Sequence, residues 1–191
     1  MASKQRQPIG IELAKRNLIT EEDINKALEY QRSHPTKKLG DIIYILNLCN
    51  AEQLIQAIGE ILDEKAILLH ESDVRINVQD YISLDIAKRN KAIPFEEESG
   101  RIKVCFADTS NSRAVETIRL LLLNKGLVME KYITFETNIE RILTSIEGVA
   151  AETINPNGDI TGLVDSIIKV GIEKRASDIH FEPMDDKMRI R

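Results

Sequence analysis

Residues 9–31, IGIELAKRNLITEEDINKALEYQ, are repeated in outline by residues 39–61, LGDIIYILNLCNAEQLIQAIGEI. The second copy starts 30 positions after the first, and this offset aligns Gly10 with Gly40. Most of the other aligned pairs match one apolar residue with another. A duplicated unit with a glycine near its start indicates a pseudo-two-fold module. Such a module could hold a ligand that is itself two-fold.

Each copy has the pattern of two short helices. Thr20 followed by Asp23, and Asn50 followed by Gln53, are typical of helix N-caps. Apolar residues at helical spacing follow each cap, and Pro35 ends the second helix. The repeat therefore predicts four amphipathic helices that form a small bundle.

From about residue 65 the pattern changes to short strands that alternate with helices. We expect strands over 66–69, 92–95, 101–107 and 129–135, and helices over 83–91, 112–125 and 137–146. The predicted fold class is α+β, with an N-terminal four-helix bundle from a tandem repeat, packed on a small α/β subdomain. The start of a further α/β domain follows, because a helix and a hairpin cannot bury a core alone.

Four regions follow from these patterns. The turn residues of 155–158, Asn-Pro-Asn-Gly, predict a linker around them. We expect a helical repeat at 1–63, an α/β subdomain at 64–148, a linker at 149–160 and a truncated start of the next domain at 161–191.

Composition limits the classes of function. The net charge of −5 argues against a nucleic-acid binder, which needs a broad basic face. No apolar run approaches the ~18 residues of a membrane span, and the N-terminus lacks the apolar region of a signal peptide. We therefore expect a cytoplasmic protein, in which Cys49 and Cys105 are small core residues.

No motif for catalysis is present in the sequence. It contains no GxxxxGK[ST] phosphate loop, no HExxH, no GxSxG and no CxxC. Its three histidines, His34, His70 and His180, are widely spread. We therefore expect neither a metal site nor catalysis by this chain.

The two repeated glycines give a hypothesis for binding. Each precedes a helix, whose first free N–H groups can hold a phosphate where no side chain obstructs them. The bases of a two-phosphate ligand could lie on apolar side chains, namely Ile24, Leu28, Leu54 and Ile58. The same pattern also fits glycines that only permit tight turns and apolar residues that only form a core.

A family resemblance bears on this choice. Residues 8–31 and 38–60 resemble the tandem motif RLGxxLxxxGxIxxxxLxxALxxQ of the MshEN domain. That domain opens many type IV pilus extension ATPases (PilB and MshE types) and type II secretion ATPases (GspE type). Residues 66–147 resemble its second half, and residues 177–183, SDIHFEP, are similar to the ASDIHxEP start of the next ATPase domain.

The resemblance implies a hexameric ATPase for pilus assembly and motility, whose N-terminal domain binds cyclic di-GMP. ATP and Mg²⁺ would belong to a C-terminal region outside this sequence. The cyclic di-GMP-binding residues implied by the motif are Ile9, Gly10, Ile24, Leu28 and Gln31 in copy one, Lys38, Leu39, Gly40, Leu54 and Ile58 in copy two, and Asp108 in the second half.

The chain departs from the motif at several positions. Pro8 replaces the motif arginine in copy one, which removes a charge and a donor. Lys38 replaces it in copy two and keeps the charge without the planar fork. Glu60 replaces the final glutamine, and Asn17 and Asn47 replace the motif glycine.

We therefore expect a regulatory module that senses cyclic di-GMP. Its expected partners are cyclic di-GMP, the remaining ATPase domains as a hexamer, and proteins of the inner-membrane pilus platform. We expect no nucleic acid and only peripheral membrane association through those proteins. The alternative is a docking module that binds no nucleotide and couples the motor to the platform. Open positions at Gly10 and Gly40 would favour sensing, and covered positions would favour docking.

Overall fold

A computed structural model describes residues 8–151, 167–168, 178–183 and 188–190. The chain divides into two units, residues 1–147 and 148–191. The elements in chain order are α1 (Ile9–Lys15), α2 (Glu21–Ser33), α3 (Leu39–Ile45), α4 (Ala51–Leu62), two 3-10 turns (Glu71–Asp73 and Val78–Asp80), α5 (Leu84–Asn90), β1 (Ala92–Glu98), β2 (Arg101–Phe106), α6 (Ser112–Leu123), β3 (Val128–Ile133), α7 (Glu136–Ala151), β4 (Phe181–Pro183) and β5 (Met188–Ile190). The fold of the described residues is thus mixed α+β.

The predicted helix starts are present in both copies of the repeat. At α2 the Asp23 N–H donates to Thr20 Oγ1 at 3.2 Å, and the Thr20 N–H donates to Asp23 Oδ2 at 3.0 Å, which completes a capping box. At α4 the Gln53 N–H donates to Asn50 Oδ1 at 3.0 Å. The N-cap predictions are therefore confirmed.

The chain leaves α1 and α3 in the same way. Asn17 and Asn47 have φ values of 57° and 51°, in the left-handed region. Asparagine tolerates this conformation better than most residues with a side chain. The replacement of the motif glycine by asparagine therefore keeps the backbone turn at both helix ends.

The repeat helices share their core with the sheet region. Ile133, at the end of β3, and Phe135 are buried among the apolar residues of α1 to α4. Tyr44 of α3 stacks on Phe135 with ring centroids 4.2 Å apart. Since the helices bury their faces partly against residues that follow β3, the four-helix bundle stays a prediction.

The described strands of the first unit form one sheet in the order β1-β2-β3. Strand β1 pairs with β2 antiparallel through a turn at Ser99 and Gly100, both with positive φ, which suits a tight hairpin. Strand β1 continues to Glu98, beyond the predicted end of this strand at residue 95. Strand β2 pairs with β3 parallel, with α6 between them, so the carboxyl ends of both lie at one edge.

The predicted strand at 66–69 is wrong except for one bridge, between Ala66 and Ile133. Side chains hydrogen-bond to the backbone groups of Leu69, which would pair with a neighbouring strand in a sheet. The Leu69 N–H donates to Thr134 Oγ1 at 3.3 Å, and Asn138 Nδ2 donates to the Leu69 carbonyl at 3.0 Å. Leu69 is buried without being in a strand, because its backbone N–H and carbonyl find these partners.

In the second unit, β4 and β5 pair antiparallel, with Phe181 opposite Ile190. The hairpin predicted after SDIHFEP is therefore confirmed. Beyond residue 151, the predicted linker at 149–160 lies outside the described residues. Of the helix predicted in the start of the next domain, only residues 167–168 are described, and they are helical. Across the described stretches, every helix is too short or too polar to cross a bilayer.

Candidate functional site

A cavity of about 360 Å³ lies between the second repeat and the carboxyl edge of the sheet. Ligands commonly bind beyond the carboxyl ends of parallel strands, because the chain diverges there. The loops after β2 and β3 form one side, and the start of α3 and the middle and end of α4 form the other. The lining residues are Ile9, Lys38, Leu39, Gly40, Asp41, Ile55, Ile58, Leu62, Glu64, Ala107, Asp108, Thr109, Ser110, Ile133, Thr134 and Phe135.

Lys38 joins the two sides of this cavity. It precedes α3, and its Nζ lies 2.9 Å from Asp108 Oδ1 in the loop after β2. The same Nζ donates to the Ala107 carbonyl at 3.2 Å. Both charged side chains remain partly exposed, so the ion pair itself contributes little to stability. Its importance is that it holds one cation at the cavity.

Asp108 is held as a carboxylate. Ser110 donates to Asp108 Oδ1 through its hydroxyl at 2.6 Å and through its backbone N–H at 3.0 Å. Partial burial alone would raise the pKa of Asp108, but the bonds from Ser110 and Lys38 and the charge of Lys38 outweigh it and lower the pKa. Oδ1 of this carboxylate thus contacts three neighbouring donor groups, two of Ser110 and one of Lys38.

Asp41 is a second carboxylate at the cavity, and it is only 5% exposed. The Thr137 N–H donates to Asp41 Oδ1 at 3.4 Å, which is long for such a bond. Burial, the largest cause, and the charge of Glu136 raise the pKa of Asp41, whereas backbone N–H groups of Thr137 and Glu136 and the charge of Lys37 lower it; the net pKa is about 6. Asp41 therefore carries a buried charge at neutral pH.

Asp41 lines the cavity but was not among the binding residues predicted from the sequence. The signal was available, because an aspartate lies inside an otherwise apolar stretch, LGDIIYI, where copy one has Ile11. The helical pattern alone could not tell whether position 41 faces solvent or the sheet. Only the packing of the sheet region on α3 buries it.

Six of the predicted binding residues meet at this cavity, namely Ile9, Lys38, Leu39, Gly40, Ile58 and Asp108. The other five, Gly10, Ile24, Leu28, Gln31 and Leu54, do not line it. Leu54 is fully buried in the helical core, whereas Leu28 is 42% exposed. Gln31 Nε2 donates to the Lys37 carbonyl at 2.9 Å and so supports the segment before Lys38.

Side chains cover both repeated glycines. A Cβ atom added at Gly10 would lie 3.1 Å from Leu39 Cδ2, and one added at Gly40 would lie 2.8 Å from Ile58 Cδ1. Both glycines are buried. The glycines therefore allow close packing between helices, and Gly40 is also part of the cavity wall.

The two copies differ in what covers them. Leu28 and Ile58 occupy equivalent positions, yet Leu28 is 42% exposed and Ile58 only 5%. Ile11 is likewise exposed, whereas its counterpart Asp41 is buried. The sheet region packs on copy two, so the repeat is symmetric in sequence and asymmetric in structure.

Another depression lies on the outer side of the repeat, along α2. It is more open than the cavity and contains none of the predicted residues. Its lining residues are Lys26, Glu29, Tyr30, Ser33, Leu46 and Leu48.

Comparisons with known proteins support the family resemblance. The MshEN domain model matches residues 62–153, from the end of α4 onward. The type IV pilus assembly ATPase PilB of Myxococcus xanthus (strain DK1622) is 25% identical over 207 residues, covering 96% of this chain and 36% of that protein. The type II secretion system protein E of Xanthomonas campestris pv. campestris (strain ATCC 33913 / DSM 3586 / NCPPB 528 / LMG 568 / P 25) is 28% identical over 134 residues, covering 58% of this chain and 23% of that protein. The chain spans about a third or less of the length of these relatives.

A solved structure has the same fold. MshE with cyclic di-GMP aligns with a TM-score of 0.51 and 19% identity, covering 74% of this chain and 99% of that one. Together with the family match and the relatives, this confirms the resemblance to the N-terminal region of pilus and secretion ATPases.

Proposed function

We propose, starting from the match of residues 62–153 to the MshEN domain, that the chain is the regulatory N-terminal module of a type IV pilus assembly or type II secretion ATPase. Its cavity binds cyclic di-GMP, and binding biases the motor by favouring one of its conformational states. This proposal includes the four-helix bundle of the repeat and the domain boundaries at 63 and 148. It also includes assembly of the ATPase as a hexamer and its contact with the platform proteins.

The observation that carries the proposal is the convergence of residues from distant parts of the chain. Ile9, the segment from Lys38 to Gly40, Ile58 and Asp108 line one cavity, and the motif resemblance selected all of them from the sequence alone. That MshE shares the fold and occurs with cyclic di-GMP supports the same ligand.

The chemistry of the cavity suits part of a nucleotide. Lys38 supplies a positive charge for a phosphate, while Leu39 and Ile58 supply apolar surface for a base. The volume is at the small end of the range of about 300–1,000 Å³ for ligand sites. We therefore expect one guanine inside the cavity and the second half of the ligand outside it, toward copy one.

Copy one would contribute less to binding than copy two. Pro8 offers no charge where the motif has arginine, and Leu28 stands exposed without a covering sheet. Affinity should therefore depend mainly on residues of copy two.

Isothermal titration calorimetry with cyclic di-GMP tests this proposal. Lys38→Ala should weaken binding about tenfold or more, because a charge-assisted hydrogen bond contributes roughly 1.5–3 kcal/mol. Lys26→Ala is the matched control, since it removes the same charge from α2, away from the cavity. No saturable binding by the unmodified chain would refute the proposal.

A second variant tests the same contact in the opposite direction. Lys38→Arg restores the motif arginine and its two-pronged phosphate contact, so we expect tighter binding than in the unmodified chain. Weaker binding by Lys38→Arg would argue against a phosphate at this position.

The docking function is the second candidate. It is favoured by the covered glycines and by the exposed apolar side chains Ile11 and Leu28 in copy one. It would gain support if cyclic di-GMP failed to bind while Leu28→Lys abolished co-purification with the pilus platform proteins.

A further inference from the structure

Three carboxylates line the cavity, and two of them have partners of opposite charge. Glu64 pairs with Lys131 at 2.7 Å, and Asp108 pairs with Lys38 at 2.9 Å. Among the described residues, no cationic side chain lies within 4.0 Å of the Asp41 carboxylate. Asp41 is therefore the cavity carboxylate that has no cationic side chain at ion-pair distance among the described residues; backbone N–H groups at the start of α7 and the more distant charge of Lys37 offset its charge only in part.

A buried carboxylate is costly unless hydrogen-bond donors reach it. An ionised aspartate has about four acceptor positions; the Thr137 N–H reaches Oδ1 at 3.4 Å, and the Glu136 N–H also favours the charged form. Because Asp41 lines the cavity, a bound ligand can supply further donors. Buried charged groups of this kind are common at functional sites.

The position of Asp41 along α3 fits a nucleotide. Lys38 and Asp41 are three residues apart at the start of α3, so their side chains lie on neighbouring parts of one helix face. Lys38 is exposed, whereas Asp41 is buried. A ligand that meets both would present a phosphate to the exposed cation and a donor group to the buried anion.

We infer that Asp41 selects guanine over adenine in this cavity by accepting the two adjacent N–H donors of the guanine edge. The inference rests on the proposed function, which it extends to a specificity-determining residue. Guanine offers N1–H and N2–H side by side, matching the two oxygens of a carboxylate. Adenine offers one donor beside an acceptor, and that acceptor would face a carboxylate oxygen without a proton between them.

Selection also depends on the charge of Asp41. With a pKa of about 6, the group is ionised at pH 7.5 and largely protonated at pH 5. The charged groups that face it are Glu136 and Lys37, Glu136 being paired with Lys91. The cavity also contains the ion pairs of Lys38 and Glu64. A protonated carboxyl would present a donor to the guanine edge, so guanine selection should weaken at pH 5.

Calorimetric titration of the full chain with cyclic di-GMP and cyclic di-AMP at pH 7.5 tests the inference. We expect the unmodified chain to prefer cyclic di-GMP at least tenfold. Asp41→Asn should reduce this ratio to about threefold or less, because the amide presents one donor and one acceptor. Asp85→Asn is the matched control, since it makes the same change at an exposed, ion-paired aspartate of α5 that does not line the cavity, and it should keep the ratio.

The outcomes separate the two proposals. Binding of cyclic di-GMP with an unchanged ratio in Asp41→Asn, or with equal losses in Asp41→Asn and Asp85→Asn, overturns the role of Asp41 and leaves sensing intact. Binding of neither dinucleotide overturns sensing, and the role of Asp41 with it. A second measurement needs no variant: the ratio for the unmodified chain should fall between pH 7.5 and pH 5, and a constant ratio counts against Asp41.

Discussion

At the scale of single residues, the fold disfavours the ionised form of Asp41. Its folded-state pKa of about 6 lies above the usual aspartate pKa of 3.8, mainly because of burial. The native state therefore binds more protons than the unfolded state between these two values. The contribution of Asp41 to the free energy of unfolding becomes less favourable as pH rises through this window and stays unfavourable above it.

Asp41→Asn should therefore stabilise the fold, and more at high pH than at low pH. The full shift corresponds to roughly 3 kcal/mol, of which about 1–2 kcal/mol should separate pH 8 from pH 5. Urea denaturation of both proteins at the two pH values measures this difference. Comparing variant with unmodified chain cancels the opposite slope of carboxylates with lowered pKa, such as Asp108. An equal gain at both pH values would show that burial does not perturb Asp41.

At the scale of elements, the starts of α1 and α3 depend on glycine for close helix packing. The nearest neighbour of an added Cβ at Gly40 is Ile58 Cδ1, at 2.8 Å, which is closer than real Cβ atoms approach. Because that atom is the end of a flexible side chain, α3 and α4 can relax partly. The family glycine at this position thus has a packing reason within the chain, in addition to any contact with a ligand.

Gly40→Ala should destabilise the fold by about 1–3 kcal/mol, the usual cost of overpacking a core. Adding Ile58→Val, which removes the Cδ1 atom, should recover part of that loss. A double-mutant cycle by chemical denaturation measures the coupling between the two positions. Additive effects would contradict the contact between Gly40 and Ile58.

At the scale of the first unit, the repeat and the sheet region are joined by side chains that follow strand ends. Phe135 is buried in the helical core and stacks on Tyr44, while Lys38 reaches Asp108 and Ala107 after β2. The cavity lies between these contacts. The shape of the cavity therefore depends on how the repeat and the sheet region pack against each other.

Phe135→Ala should cost about 3–5 kcal/mol, because it removes a large buried ring from the shared core. We also expect the repeat helices to unfold at lower urea than the sheet, and hydrogen–deuterium exchange in urea would resolve this element by element. Leu120→Ala is the control, since Leu120 is about half exposed and its loss should change stability by less than about 0.5 kcal/mol. A single transition with a small loss would mean that the two regions do not depend on Phe135.

The sequence by itself determined the helices of the repeat, their caps and six of the sixteen residues that line the cavity, because these follow from local patterns and from a repeated motif. Thr20, Asn50 and the left-handed asparagines act through neighbours within a few residues, so their roles can be predicted without a fold. The tertiary structure decided which copy of the repeat the sheet covers, and this buries Asp41 and Ile58 while leaving Ile11 and Leu28 exposed. It also replaced the predicted strand at 66–69 by contacts with Thr134 and Asn138. Both outcomes depend on partners about 65 to 100 positions away, whose packing no local pattern encodes.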